Sequence, residues 1–253
     1  MQITDNTILI TGGGSGIGRG LAEAFHALGN QVIVAGRREQ KLRATAAANP
    51  GMEYLAFDQD NAEQIRNFAA QFMATHPKFN VLINNAGIQR VEDLTTGALA
   101  DAEATVTTNL LGPMRMTAAF LPFLLKQPRA AVLNVSSGLA FVPSAMIPTY
   151  CATKSAMHSY TQSLRFQLRN TSVQVIEVIP PWVQTELQGE RGLNPRAMPL
   201  DAYVAETMET LTRSPRTTEV VSERAKAMRF AERGDYDAFF TNFNEGFAAA
   251  QRK

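Results

Sequence analysis

Runs of consecutive apolar residues alternate along this chain with longer stretches whose apolar positions recur at helical spacing. Thr7-Ile8-Leu9-Ile10-Thr11 predicts a first buried strand, and Leu21, Ala24, Phe25 and Leu28 predict a helix that Gly29-Asn30 stops. Gln31 to Ala35 predicts a second strand, Glu39 to Ala48 a second helix, and Glu53 to Phe57 a third strand. Ile65, Phe68, Ala69 and Phe72 mark a third helix, closed by Pro77. Val81 to Asn84 follows as a fourth strand. Two helical stretches come next, Ala98 to Asn109 and Pro113 to Lys126, with Pro113 placed to start the second. Ala131 to Val135 is the fifth strand, Tyr150 to Arg169 a long helix, and Val173 to Ile179 the sixth strand.

Beyond Pro180 the pattern loosens. Gln184 to Pro199 reads as a long loop, Asp201 to Thr212 as a helix, and Thr218 to Val221 as a seventh strand. Ser222 is placed to cap a helix through Arg233, and Asp235 to Ala250 predicts a last helix with Phe239, Phe240 and Phe243 on its apolar side. Strands that are apolar throughout, rather than alternating, predict a parallel sheet covered on both faces. With right-handed crossovers this is an α/β Rossmann-like doubly wound fold of about seven strands, with ligands at the carboxyl ends of the strands. No linker, repeat or composition break divides residues 1–253, so one nucleotide-binding domain is expected, with a substrate-loop region at about 184–212.

Composition narrows the functional classes. The chain has 253 residues, 45% hydrophobic and 19% charged, with a formal net charge of +1. That balance makes no electrostatic case for nucleic acid or a polybasic membrane patch. No apolar run approaches the ~20 residues of a membrane span. The polar start Met1 to Asp5 has no leader pattern, and Cys151 is the single cysteine, so a reduced cytoplasmic setting is expected. Three scattered histidines and one cysteine show no ligand spacing, and no metal is expected.

The glycine cluster after the first strand is the first candidate site. Thr11-Gly12-Gly13-Gly14-Ser15-Gly16-Ile17-Gly18 lies between a predicted strand and a predicted helix. Glycines there let the backbone approach a pyrophosphate, and the helix N-terminus offers free N–H groups and a positive dipole end. The bland alternative is a glycine-rich turn without a ligand. At the end of the second strand stands Ala35-Gly36-Arg37-Arg38, with no carboxylate until Glu39. An acidic residue there suits the ribose 2′-OH of NAD, whereas guanidinium groups suit a 2′-phosphate, so NADP(H) is favoured over NAD(H). Arg37 and Arg38 as a solvated helix start is the other reading. Asp58, ending the third strand, is either an acceptor for the adenine amino group or a turn residue.

Tyr150 and Lys154 stand four residues apart near the start of a predicted helix and project from one face. A nearby ammonium favours phenolate and lowers the phenol pKa, which makes a proton-transfer pair for a carbonyl/alcohol couple. Ser136-Ser137 closes the fifth strand, where a hydroxyl can hold a substrate oxygen.

These motifs, with Asn84-Asn85-Ala86-Gly87 and Asn109, resemble the short-chain dehydrogenase/reductase family in order and spacing, to about Val221. The spacing back from Tyr150 selects Ser137 over Ser136. The resemblance implies an oxidoreductase acting on a small carbonyl or alcohol. Tyr150 would be the acid/base, Lys154 would tune it and bind the nicotinamide ribose, and Ser137 would polarise the carbonyl. Asn109 would hold a helix kink and a relay water, unless it caps a helix. Gly12, Gly14, Ser15, Gly16, Ile17 and Gly18 would hold the pyrophosphate, and Asn85, Ala86 and Gly87 would line the adenosine side. Pro180, Val183 and Thr185 would meet the nicotinamide end. The family's Pro-Gly after the sixth strand is here Pro180-Pro181, and its C-terminal Asp-Gly-Gly is absent, which puts the tetramer-building contacts in doubt. A homodimer or homotetramer is still implied, through the helices at Pro113–Lys126 and Tyr150–Arg169. The chain also resembles a bacterial subgroup found near cell-wall D-alanylation genes.

The remaining residues have plainer readings. Cys151 reads as a buried small side chain, and His158 as a packing residue. Trp182, Met146 and Ile147 are either pocket walls or core. The alternatives to a dehydrogenase are a non-catalytic NADP(H)-binding sensor or scaffold, and an enzyme using the fold for epimerisation or dehydration.

Overall fold

A computed structural model describes residues 1–251. Its strands are β1 (Thr7–Thr11), β2 (Gln31–Gly36), β3 (Glu53–Ala56), β4 (Phe79–Asn84), β5 (Ala130–Val135), β6 (Val173–Ile179) and β7 (Glu219–Val221). They form one sheet in the order β3-β2-β1-β4-β5-β6-β7, parallel at every pairing. The direction of travel reverses between β1 and β4, the switch point at which such sheets open a ligand crevice.

The helices are α1 (Gly16–Ala27), α2 (Glu39–Ala48), α3 (Ala62–Thr75), α4 (Ala100–Val106), α5 (Gly112–Leu124), α6 (Pro148–Gln167), α7 (Leu200–Arg213), α8 (Lys226–Arg229) and α9 (Tyr236–Gln251). The apolar strands bury both faces, as their sequence requires. On one face Ile8, Ile10, Val32 and Val34 meet Leu21 and Phe25 of α1 and Tyr203 and Leu211 of α7. On the other, Leu9, Ile33, Leu82 and Val132 meet Phe72 of α3, Phe120 of α5 and Leu164 of α6. Gly29, with φ +81°, takes the left-handed position that ends α1. Asn61 caps α3, accepting from Glu63 N and Gln64 N at 2.9 and 3.0 Å.

Three expectations are corrected. The two helical stretches around residue 110 are not separated, because α4 runs into α5 through a π-helical turn, Thr107–Leu111. Pro113 lies inside this continuous helix and has no N–H to give back to the π turn, where the Thr108 carbonyl instead accepts from Gln59 Nε2 at 2.9 Å. The loop at 184–199 is not structureless: short 3-10 turns span Glu186–Leu193. Its base is pinned by a Val183–Met198 bridge, with Gln184 N on Met198 O at 2.9 Å and Met198 N on Trp182 O at 2.8 Å. Ser222 does not cap a long helix. Its hydroxyl donates to Glu206 Oε2 at 2.7 Å, and the segment to Arg233 divides into short turns around α8.

Candidate active site

The crevice opens where β1 and β4 part. Thr11 Oγ1, at the end of β1, accepts from the amides of Asn85 and Ala86, each at 3.1 Å. The Asn85 amide returns a bond to Thr11 O at 2.9 Å. The loop from Gly12 to Gly18 is therefore tied to the exit of β4. Gly12 has φ +70°, and a Cβ there would lie 2.8 Å from Ala86 Cα. A Cβ on Gly18 would lie 2.3 Å from Asn85 Nδ2 and 2.4 Å from Gly12 O. Only glycine fits this close approach. Behind the loop, α1 begins with no acidic residue in its first turn, and first-turn amides have no intrahelical acceptor. This end of α1 is an anion cradle, and its shape fits a dinucleotide pyrophosphate.

At the end of β2 the two arginines part company. Arg37 turns to Asp60, 2.9 Å away, and has Asp58 at 3.9 Å. Arg38 lies over the glycine loop, its Nη2 2.6 Å from Ser15 Oγ. Lys41, one helical turn on, joins it, and both meet Glu186 of the loop after β6, at 3.4 Å from Arg38 and 2.8 Å from Lys41. Lys41 and Glu186 escaped the sequence reading. Arg38-x-x-Lys41 at helical spacing was the available signal for the first; nothing local marks Glu186. Asp58 sits in a turn, accepting from Asp60 N at 3.0 Å.

The residues at the carboxyl ends of β4 and β5 and the head of α6 converge. The Ser137 hydroxyl lies beside the Tyr150 phenol, close enough to favour its ionised form, and accepts from Leu139 N at 3.1 Å. Ser136 points elsewhere, donating to Glu177 at 2.6 Å. Lys154 Nζ donates to Val135 O at 2.8 Å and lies 5.6 Å from the centre of the Tyr150 ring. Asn109, in the π-helical turn, does not cap a helix. Its side chain clasps Ile88, donating to its carbonyl and accepting from its amide, both at 2.8 Å. The wider turn is what aims it across at the β4 exit. A Cβ on Gly87 would meet Asn109 Oδ1 at 3.2 Å and Lys154 Nζ at 3.9 Å, so these three groups share one small space.

The electrostatics differ from the sequence expectation. Burial pushes the Tyr150 phenol well above its usual value, and the Ser137 hydroxyl only partly offsets this. Burial also pulls the Lys154 ammonium down to about 8, with Glu177 working in the other direction. Desolvation thus dominates at Tyr150, and the phenol favours its protonated form. Cys151 is buried, its thiol raised to about 11, and Sγ accepts from Ser144 N at 3.3 Å. It is a packing residue, because reactivity requires thiolate.

Above these groups lies a cavity of about 1090 Å³, its lining including Ser137, Tyr150, Pro180, Val183 and Thr185. Met146, Ile147 and Trp182 are walls of it. Phe243 of α9 reaches the same cavity, and Asn244 fastens α9 to the 143–145 segment, accepting from Ala145 N at 2.6 Å.

A Rossmann-like sheet with this crevice and this trio of side chains defines a class of nucleotide-binding oxidoreductases, and the chain belongs to the short chain dehydrogenase family, whose profile matches residues 6–195. It is 40% identical over 251 residues to the uncharacterized oxidoreductase DltE of Bacillus subtilis (strain 168), covering 96% of this chain and 98% of that one. That likeness agrees with the D-alanylation-associated subgroup. Among solved structures, a short chain dehydrogenase from Burkholderia cenocepacia J2315 in complex with NADP superposes with TM-score 0.83 at 26% identity, covering 96% of this chain and 98% of that one. One from Burkholderia phymatum in complex with NAD has TM-score 0.81 at 23% identity, over 91% of this chain and 94% of that one, a likeness of fold. No described helix is long and apolar enough to cross a membrane.

Proposed function

We propose that this oxidoreductase transfers a hydride between NADP(H) and a small carbonyl or alcohol substrate. The observation that carries the reading is that Ser137 and Tyr150 line one cavity together, with the Lys154 ammonium 5.6 Å from the centre of the Tyr150 ring. The bound nicotinamide supplies the hydride to the carbonyl carbon, or takes it from the alcohol. Tyr150 gives its proton to the carbonyl oxygen in reduction and recovers it from the alcohol in oxidation. The protonated phenol that burial favours is the form reduction needs. Ser137 donates to the same oxygen and orients it. Lys154 stabilises the charge left on Tyr150 and, with the backbone clasped by Asn109, fixes the nicotinamide ribose side.

Gly12, Gly14, Ser15, Gly16, Ile17 and Gly18 are the pyrophosphate seat, supported by the cradle at α1. Asp58, Asn85, Ala86 and Gly87 flank the adenosine, and Pro180, Val183 and Thr185 flank the carboxamide. Arg38, with Lys41 beside it, is the 2′-phosphate ligand, whereas Arg37 is engaged by Asp58 and Asp60. Neighbours of the same fold are solved in complex with NADP and with NAD, so the choice rests on Arg38 and Lys41. Residues 184–212 close over the substrate within a single domain, working in the cytoplasm. Two or four copies assemble through α5 and α6.

The test is an NADPH-oxidation screen across aldehydes and ketones, with NADPH binding followed separately by fluorescence. Turnover of at least one carbonyl class is expected, and Tyr150→Phe should cut it by about 10²–10⁴-fold with nucleotide affinity kept. Binding without turnover across the panel, or full activity in Tyr150→Phe, overturns the reading.

A further inference from the structure

Behind Lys154 lies a carboxylate that the proposed chemistry does not use. Glu177, on β6, is 0% exposed. Its Oε1 accepts from Ser136 Oγ at 2.6 Å, and its Oε2 lies 2.7 Å from His158 Nδ1. His158 stands one helical turn beyond Lys154 on α6, so both side chains leave the same face toward β5 and β6. Lys154 meets β5 at the carbonyl of Val135, the residue immediately before Ser136. The carboxylate and the ammonium are therefore anchored at successive residues of one strand end.

Other charges around Glu177 are committed elsewhere. Glu219 of β7 is gripped by Arg229 of α8 through two bonds of 2.9 Å. Arg165 of α6 donates to Val175 O and Thr218 O at 2.9 and 2.7 Å. The side-chain atoms of His158, Glu177 and Glu219 lie within 4.8 Å of one another, but the Arg229 grip makes this a charge network rather than a vacant cation seat. The Phe141 ring, 4.7 Å from His158 and edge-on, holds the imidazole in place. A carboxylate fully removed from water is costly unless its charge is used by neighbouring cations. Among the described residues Lys154 is buried with no carboxylate bonded to it, and it is tied to Val135 O, one residue from the Ser136 that holds Glu177.

We propose that Glu177, held between Ser136 and His158, is a positioning residue whose negative charge behind the site favours the ammonium form of Lys154. The proposal rests on the assignment of Lys154 to proton transfer. Lys154, His158 and Arg165 face the carboxylate from α6, Arg229 from α8 and Glu219 from β7. Desolvation already draws Lys154 down, so withdrawing the negative charge draws it further down.

The test is Glu177→Gln, which keeps the shape and an acceptor for Ser136 but loses the charge. Lys154 ionisation is followed by 13Cε NMR titration of the whole chain, its signal identified by its loss in Lys154→Met. The same variant is assayed for kcat/KM across pH. The Lys154 titration and the basic limb of activity should both move down by about one pH unit. Glu177→Asp, which keeps the charge but draws it back by one methylene, should give a smaller shift of the same sign. It serves alone if Glu177→Gln does not fold. An unchanged Lys154 titration, or activity lowered equally at every pH, overturns the proposal. If wild type turns over no carbonyl, the functional reading fails, and the NMR titration still judges Glu177 by itself.

Discussion

Single side chains decide the chemistry here through what they are already bonded to. Arg37 and Arg38 are equivalent in sequence, but Asp58 and Asp60 from the turn after β3 draw the first away, while the second lies over the glycine loop beside Ser15, with the exposed Glu186 at 3.4 Å. Arg38→Ala should therefore raise the Kd for NADPH by about tenfold or more, since one charge-assisted bond contributes about 1.5–3 kcal/mol. NADH binding should change little, and Arg37→Ala should have the smaller effect on NADPH; fluorescence titration checks both. Lys154 gives a second prediction. Its pKa is lowered to about 8 by burial, so the ammonium is present below that pH and lost above it. The kcat/KM for NADPH reports the free enzyme, and it should fall as pH rises past about 8. A flat profile to pH 10 would contradict that sign. The choice of Ser137 over Ser136 rested on the spacing back from Tyr150 that the family resemblance supplies, and the structure turns Ser136 away to Glu177. The opposite shift of Tyr150 was not legible in the sequence, because desolvation depends on what packs over the ring, which spacing does not encode.

Elements were legible in proportion to how much their own sequence decides them. β1, α2 and β6 fall at the predicted residues, because fully apolar strands and a helix bounded by Arg38 and Asn49-Pro50 have little to negotiate with the rest of the chain. The π-helical turn at Thr107–Leu111 was invisible, since it answers a tertiary demand. Asn109 must reach Ile88 across the crevice, and an extra residue in the turn supplies the reach. Asn109→Ala leaves a backbone donor and acceptor at Ile88 without their partner, which should cost about 2–4 kcal/mol in urea unfolding. Asn109→Asp, which keeps the acceptor and loses the donor, should cost less. If Asn109→Ala is as stable as wild type, the turn is not held by this clasp. The Glu186–Leu193 turns were missed for a related reason: they are fixed from outside, by the Val183–Met198 bridge and by the pairing of Glu186 with Arg38 and Lys41.

At the scale of the molecule, the long axis of α6 joins the site to the outer surface. Its first turns carry Tyr150 and Lys154, and its last turns carry Phe166, 66% exposed with the Arg169 guanidinium 4.0 Å over its ring. A large aromatic side chain left in water is apolar area available to a second copy, and a net charge of +1 offers little repulsion between copies. Assembly through α5 and α6 would cover Phe166 and brace the helix on which the proton-transfer pair stands. Light scattering on the purified chain should give a dimer or tetramer at micromolar concentration. Phe166→Asp should weaken that assembly by at least about tenfold, as truncating an aromatic anchor typically does. The proposed nucleotide seat is built from β1, α1 and β2 of one chain, so on that proposal the dissociated variant should still bind NADPH while its melting temperature falls. A wild-type monomer at these concentrations, or a Phe166→Asp variant that assembles undiminished, would place the contact on another face and remove α6 from its bracing role.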